Sequence, residues 1–136
     1  MKIATVIVDE GAFRVFDVRD FPVIWLRAES IVNGYALPWM LEMELILGLR
    51  QPFVVVFEEG SPEETVEDRK LRAVWLKKNK EALKPFCRSL IAIESNKLKR
   101  EVMKVQLALA MKAFDVPADI AASVAEAELI ARQKLS

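Results

Sequence analysis

The chain has 136 residues, 53% of them hydrophobic and 29% charged, a length and balance that suit one globular domain spanning 1–136. Twenty basic and twenty acidic residues cancel, so no overall field draws the chain to nucleic acid. With no histidine the commonest general base and most zinc sites are lost, and a single cysteine excludes an internal disulfide framework.

Taken in order, Ile3–Val8 is a β-branched run that reads as a strand, closed by a turn at Gly11. MKIATVIVDE lacks the long apolar core of a signal peptide, and no apolar run approaches the ~18 residues that cross a bilayer, so the expectation is a cytoplasmic protein without stable membrane insertion. Residues 13–18 alternate as a second strand, Arg19-Asp20 turns, and Phe21–Leu26 follows as a third strand with Pro22 at its start or on an edge. Two hairpin-like connections imply antiparallel pairing of these first strands.

After a break at Asn33-Gly34, Pro38 can open a helix running to about Gly48. It is apolar nearly all round, with Glu42 and Glu44 as its solvent markers. The unbroken run Phe53–Phe57 suits a strand covered on both faces, and Gly60 allows a tight turn after it. In Ser61-Pro62-Glu63-Glu64, Ser61 is placed as an N-cap, Pro62 at the first helical position and Glu64 closing a capping box. Acid at Glu63, Glu64, Glu67 and Asp68 and base at Lys77, Lys78 and Lys80 match the dipole of the helix that follows. In that helix Trp75 is expected in the core beside Leu71 and Val74, and Pro85 stops the helix.

Arg88–Glu94 reads as a further strand, and Ser95 or Asn96 as the cap of a helix from Lys97 to about Lys112. Leu98, Val102, Val105 and Leu109 form one stripe of it at helical spacing. Asp119–Ala122 suits a short last strand, and Ser123-Val124-Ala125-Glu126 is a second capping box opening the closing helix. The order is βββ-α-β-α-β-α-(β)-α, an α/β fold whose alternation from residue 52 onward predicts βαβ crossovers and a parallel half-sheet.

This order, carried by PFVVVFEEG, DRKLRAVWLKKNKEALKPFCRSLIAIES and ASVAEAELIARQKL, resembles the small bacterial STAS-like proteins, named for sulfate transporters and anti-sigma-factor antagonists. The likeness covers about residues 13 to 135 and rests on order and texture rather than on an invariant motif. It implies a mixed sheet with antiparallel amino-terminal strands, a parallel second half and about four helices. Some members of that fold group are compared with lipid-binding CRAL-TRIO domains. In the antagonists a phosphorylatable serine follows the central strand in an Asp-Ser-(Ser/Thr)-Gly-like motif. Here the segment is Glu58-Glu59-Gly60-Ser61-Pro62-Glu63, with Thr65 a turn further on. Ser61 and Thr65 are therefore the positions where a switch would sit, but both lack the motif, and four neighbouring glutamates would repel added phosphate.

Little chemistry is suggested. Glu58 and Glu59 stand at the carboxyl end of the central strand, where open α/β sheets bind ligands, yet adjacent strand residues point to opposite faces. Cys87 reads as a buried structural thiol, the four glycines are too scattered for a phosphate loop, and the mixed-sign run Lys97, Lys99, Arg100, Lys104 reads as a solvated face. The expectation is a non-enzyme without metal or cofactor. One feature invites a functional reading: Tyr35, Trp39, Met40, Met43 and Leu47 on and before the first helix exceed what one buried face needs. That excess points to contact with another protein or with itself, as a homodimer. The alternative is a pocket between this helix and the sheet that binds an apolar small molecule.

Overall fold

Phe53, Val54, Val55 and Val56 are all buried, in the middle strand of a five-stranded sheet. The computed structural model describes residues 8–136, so the strand expected over Ile3–Val8 lies outside the described residues but for Val8, which belongs to no element. The strands are β1 (Phe16–Asp17), β2 (Val23–Leu26), β3 (Phe53–Phe57), β4 (Cys87–Ile93) and β5 (Ala118–Ala121), in the spatial order β1-β2-β3-β4-β5. β1 pairs antiparallel with β2, and every later pair is parallel. The fold is α/β with the mixed sheet that the sequence predicts.

Helices α1 (Ala36–Gly48), α2 (Val66–Lys78), the single turn α3 (Lys80–Leu83) and α4 (Lys97–Phe114) lie in the crossovers, and α5 (Val124–Leu135) closes the described chain. Strands in sequential order joined by crossovers of one hand leave their helices on one face. The packing agrees. One core cluster joins Trp39, Met43 and Ile46 of α1 with Trp75 and Leu76 of α2, Leu83, and Phe53 and Val55 of the sheet. The opposite face carries Trp25, Val54, Val56, Ile91 and Ile93, met by Ala127 and Ala131 of α5. Alternate residues of one strand thus serve two cores, which is why FVVVF carries no polar position.

Four expectations need correcting. The strand expected over residues 13–18 shrinks to two residues, because the backbone N–H groups of Arg14, Val15 and Phe16 donate to the carboxylate of Glu42 at 2.9–3.1 Å. Glu42 is therefore no solvent marker. It is 4% exposed, an acceptor sewing α1 to the amino-terminal segment.

The capping box at Ser61 does not form. Thr65 is the N-cap of α2, accepting from the Asp68 N–H at 3.1 Å, while the Ser61 hydroxyl donates to the Glu58 carbonyl at 2.8 Å and tightens the turn. Gly60 makes that turn with φ +81°, as the sequence suggests. Thr65 prevails because Glu64 is drawn away to Arg72 and Tyr35, leaving Ser61 without its reciprocal partner.

Trp75 is buried but not beside Leu71 and Val74, which face solvent; its ring meets Trp39 edge-on at 5.3 Å. The stripe Leu98, Val102, Val105, Leu109 forms as spaced and faces solvent. The inward seam of α4 is Met103, Leu107, Ala110 and Phe114 instead, offset by five residues and so roughly 140° around the helix.

The remaining elements match their signals. Asn96 caps α4 through the Lys99 N–H, and Ser123 caps α5 through the Glu126 N–H. Glu126 returns the bond one residue early, to the Ala122 N–H at 2.8 Å.

Candidate functional site

At the carboxyl ends of β3 and β4 the sheet opens into a cleft of about 640 Å³. Phe57 ends β3 there, followed by Glu58, Glu59 and the Gly60 turn, with Ile93, Met103 and Arg72 among the other lining residues. Glu64 of its lining is paired with Arg72 and Arg69, while Glu58 and Glu59 turn to neighbours outside the lining. Arg27 lies 3.0 Å from Asp17 and 3.3 Å from Glu58, with its guanidinium 4.5 Å above the Trp25 ring. Glu58 also accepts the Ala28 N–H at 2.8 Å, while Glu59, on the other side of the strand, accepts from the Ser95 N–H and hydroxyl. These two carboxylates do point apart.

Glu64 in this wall is held by Arg72 and by the Tyr35 hydroxyl at 2.5 Å. Burial raises the Glu64 carboxyl, but the bonds from Arg72 and Tyr35 prevail and hold it below its ordinary range. Burial, together with the bond to Glu64, pushes the Tyr35 phenol well above its own. The bond thus joins an anionic Glu64 to a neutral, protonated Tyr35 that donates to it. Among the described residues no buried side-chain nitrogen or oxygen lacks a hydrogen-bond partner.

A second carboxylate ties the starts of two helices. Asp68, 2% exposed, accepts from the Gly34 N–H at 2.9 Å, the Ala36 N–H at 3.1 Å and the Thr65 hydroxyl at 2.9 Å. Burial alone would raise its carboxyl; the backbone donors Gly34 and Ala36 outweigh that and lower it. Asp68 on α2 thereby caps α1, whose nominal cap Tyr35 gives no side-chain bond.

The residues singled out by sequence are placed as follows. Tyr35, Trp39 and Met43 are buried, and Met40 and Leu47 are partly buried against the same core. They come together, but as packing, and the surplus apolar character of α1 emerges on Leu37, Leu41 and Leu45 instead. The space between α1, α2 and the sheet is about 20 Å³, room for about one water. Ser61 is exposed, and the Thr65 hydroxyl is engaged with Asp68. Cys87 is buried, and burial pushes its thiol up to about 12. Among the described residues no three of His, Cys, Asp and Glu gather in metal-holding geometry, and no helix is long and apolar enough to cross a membrane.

What residue-by-residue reading misses is the outer face of α4. Leu98, Val102, Val105 and Leu109 are 78%, 60%, 64% and 66% exposed, four aliphatic side chains in one row. Spacing announces the row, but Met103, Leu107, Ala110 and Phe114 repeat at the same spacing. Only packing against the sheet decides which of the two rows turns inward.

Compared with protein-family models, with curated proteins and with solved structures, the chain finds no match in any of the three.

Proposed function

We propose that this protein is a non-catalytic, STAS-like module of the cytoplasm that works by protein–protein contact, including contact between its own copies. The observation that carries this reading is the outward row Leu98, Val102, Val105 and Leu109, each at least 60% exposed. Scattered apolar surface residues need no explanation, but an aligned row on a helix whose other side already serves the core does. Leu37, Leu41 and Leu45 give α1 a similar outer row, so the contact assigned to the first helix moves from Trp39 and Met43 to its solvent side. The pairing of Glu64 with Arg72 and Tyr35 supports a structural role for these three.

The test is sedimentation of the purified protein over a hundredfold range of concentration, beside Val105→Glu and Leu41→Glu. The parent is expected to assemble, and at least one variant to remain folded and monomeric. A parent monomeric throughout sinks the reading.

A second reading keeps one specific support, the 640 Å³ cleft at the carboxyl ends of the parallel strands, where open sheets bind small molecules. Leu26, Ile31, Phe57 and Met103 would meet the body of an apolar ligand there. Organic extraction of protein taken from its own host tests it, and a clean extract argues against it.

A further inference from the structure

The outer row of α4 reads the same in both directions. From the amino end it runs Leu, Val, Val, Leu at spacings of four, three and four; from the carboxyl end residue types and spacings are identical. Such a row is complementary to itself under a two-fold axis crossing the helix between Met103 and Lys104. That operation lays Leu98 on Leu109 of a second copy and Val102 on Val105, each knob beside its equal. A two-fold interface demands this property: one patch must fit its own image. Spacings of three and four are also those of a coiled-coil seam.

The charges choose the direction. Lys112 occupies the next seam position after Leu109. Side-by-side parallel helices would press the two Lys112 ammonium groups together, a like-charge contact at the edge of an apolar seam. Antiparallel helices set Lys112 against Ser95 of the second copy, next to Glu94. At the levels of Glu101 and Lys99 the second copy presents the uncharged Gln106 and Ala108. Lys104 stays with Glu101 of its own helix, 3.3 Å away.

We infer that α4 is a self-recognition element: two copies of this chain pair through antiparallel α4 helices, Leu98 against Leu109 and Val102 against Val105. This rests on the protein-contact reading above and names its partner and geometry. The patch is on the order of a few hundred Å², against about 800 Å² per partner in a standard interface, so pairing is reversible and concentration-dependent.

Cysteine cross-linking tests the geometry in the full chain, since Cys87 is buried and out of reach. Leu98→Cys and Leu109→Cys are made separately, with tags of different size, and oxidised mildly alone and mixed. The mixture is expected to yield a disulfide-linked heterodimer and each variant alone to yield none. In the antiparallel pair, equivalent residues at 98 stand about 16 Å apart along the axis, beyond the reach of a disulfide. Linking of Leu98→Cys to itself would mean parallel helices and overturn the inference. A dimer by sedimentation with no link in the mixture places the interface elsewhere, overturning the inference while the protein-contact reading stands. A monomer at every concentration overturns both.

Discussion

Thr65 and Asp68 hold each other from both sides of one hydroxyl: Thr65 Oγ1 accepts the Asp68 N–H at 3.1 Å and donates to Asp68 Oδ2 at 2.9 Å. Asp68 in turn carries the start of α1, so one side chain at the mouth of α2 supports two helices. Thr65→Ala is expected to cost about 1–2 kcal/mol, the upper part of the range for a lost N-cap. Ser61→Ala, which removes one bond in an exposed turn, is expected to cost less than about 0.5 kcal/mol. Urea unfolding of the two variants distinguishes them. Equal losses would restore Ser61 as the cap.

Glu42 concentrates more risk in one residue. Glu42→Ala leaves the N–H groups of Arg14, Val15 and Phe16 without their acceptor, in a place where Val15 and Phe16 are buried. Each hydrogen bond to a charged group contributes about 1.5–3 kcal/mol, and orphaned donors cost on the same scale. A loss of at least about 3 kcal/mol is expected in Glu42→Ala, with Glu42→Gln in between because one acceptor oxygen survives. A surface-like loss near zero would show that the carboxylate is solvated.

Trp39 and Leu41 lie two residues apart and should fail in different ways. Trp39→Ala empties space between Phe16, Trp75 and the sheet and is expected to cost about 3–5 kcal/mol, as large-to-small changes of buried aromatics do. Leu41→Glu on the outer side of α1 should leave the unfolding free energy within about 0.5 kcal/mol of the parent. Circular dichroism during urea titration checks both. A stable Trp39→Ala would contradict its burial.

Acid should unfold the protein through carboxylates held low. Asp68 and Glu64 have folded-state values below their unfolded ones, so the folded form binds fewer protons. Their contribution is complete above the unfolded value, about 4, and is lost as pH falls through the folded one. Stability is expected to be flat from about pH 7 to 5 and to fall below about pH 4. Asp68→Asn should flatten that fall. An unchanged slope would assign acid sensitivity to the exposed pairs, Asp17 with Arg19 and Asp115 with Lys84, instead.

Much of the architecture was legible because its signals are local. FVVVF, the Gly60 turn, Asn96 and Ser123 each state a conformation within a few residues. Antiparallel and parallel halves followed from connection length. What was not legible depends on partners distant in sequence. Glu42 looks like a solvent marker until three amides 26–28 residues earlier meet it. Ser61 offers a complete capping box until Glu64 is taken by Arg72, eight residues on. Tyr35, Trp39 and Met43 look surplus until Trp75 and Phe16 close over them. The candidate interface was hidden for the same reason: α4 has two apolar rows of equal spacing, and only the placement of β4 and β5 beneath it selects one.

α5 has a consequence for how the chain acquires its shape. Trp25, Val54, Val56, Ile91 and Ile93 belong to three strands spread over some seventy residues of sequence, and the helix that packs on them comes after every strand. On a ribosome the sheet would be assembled before α5 can cover that side. Such a nascent chain carries an adhesive surface until residues 124–135 emerge, and during that interval it depends on chaperones or on speed.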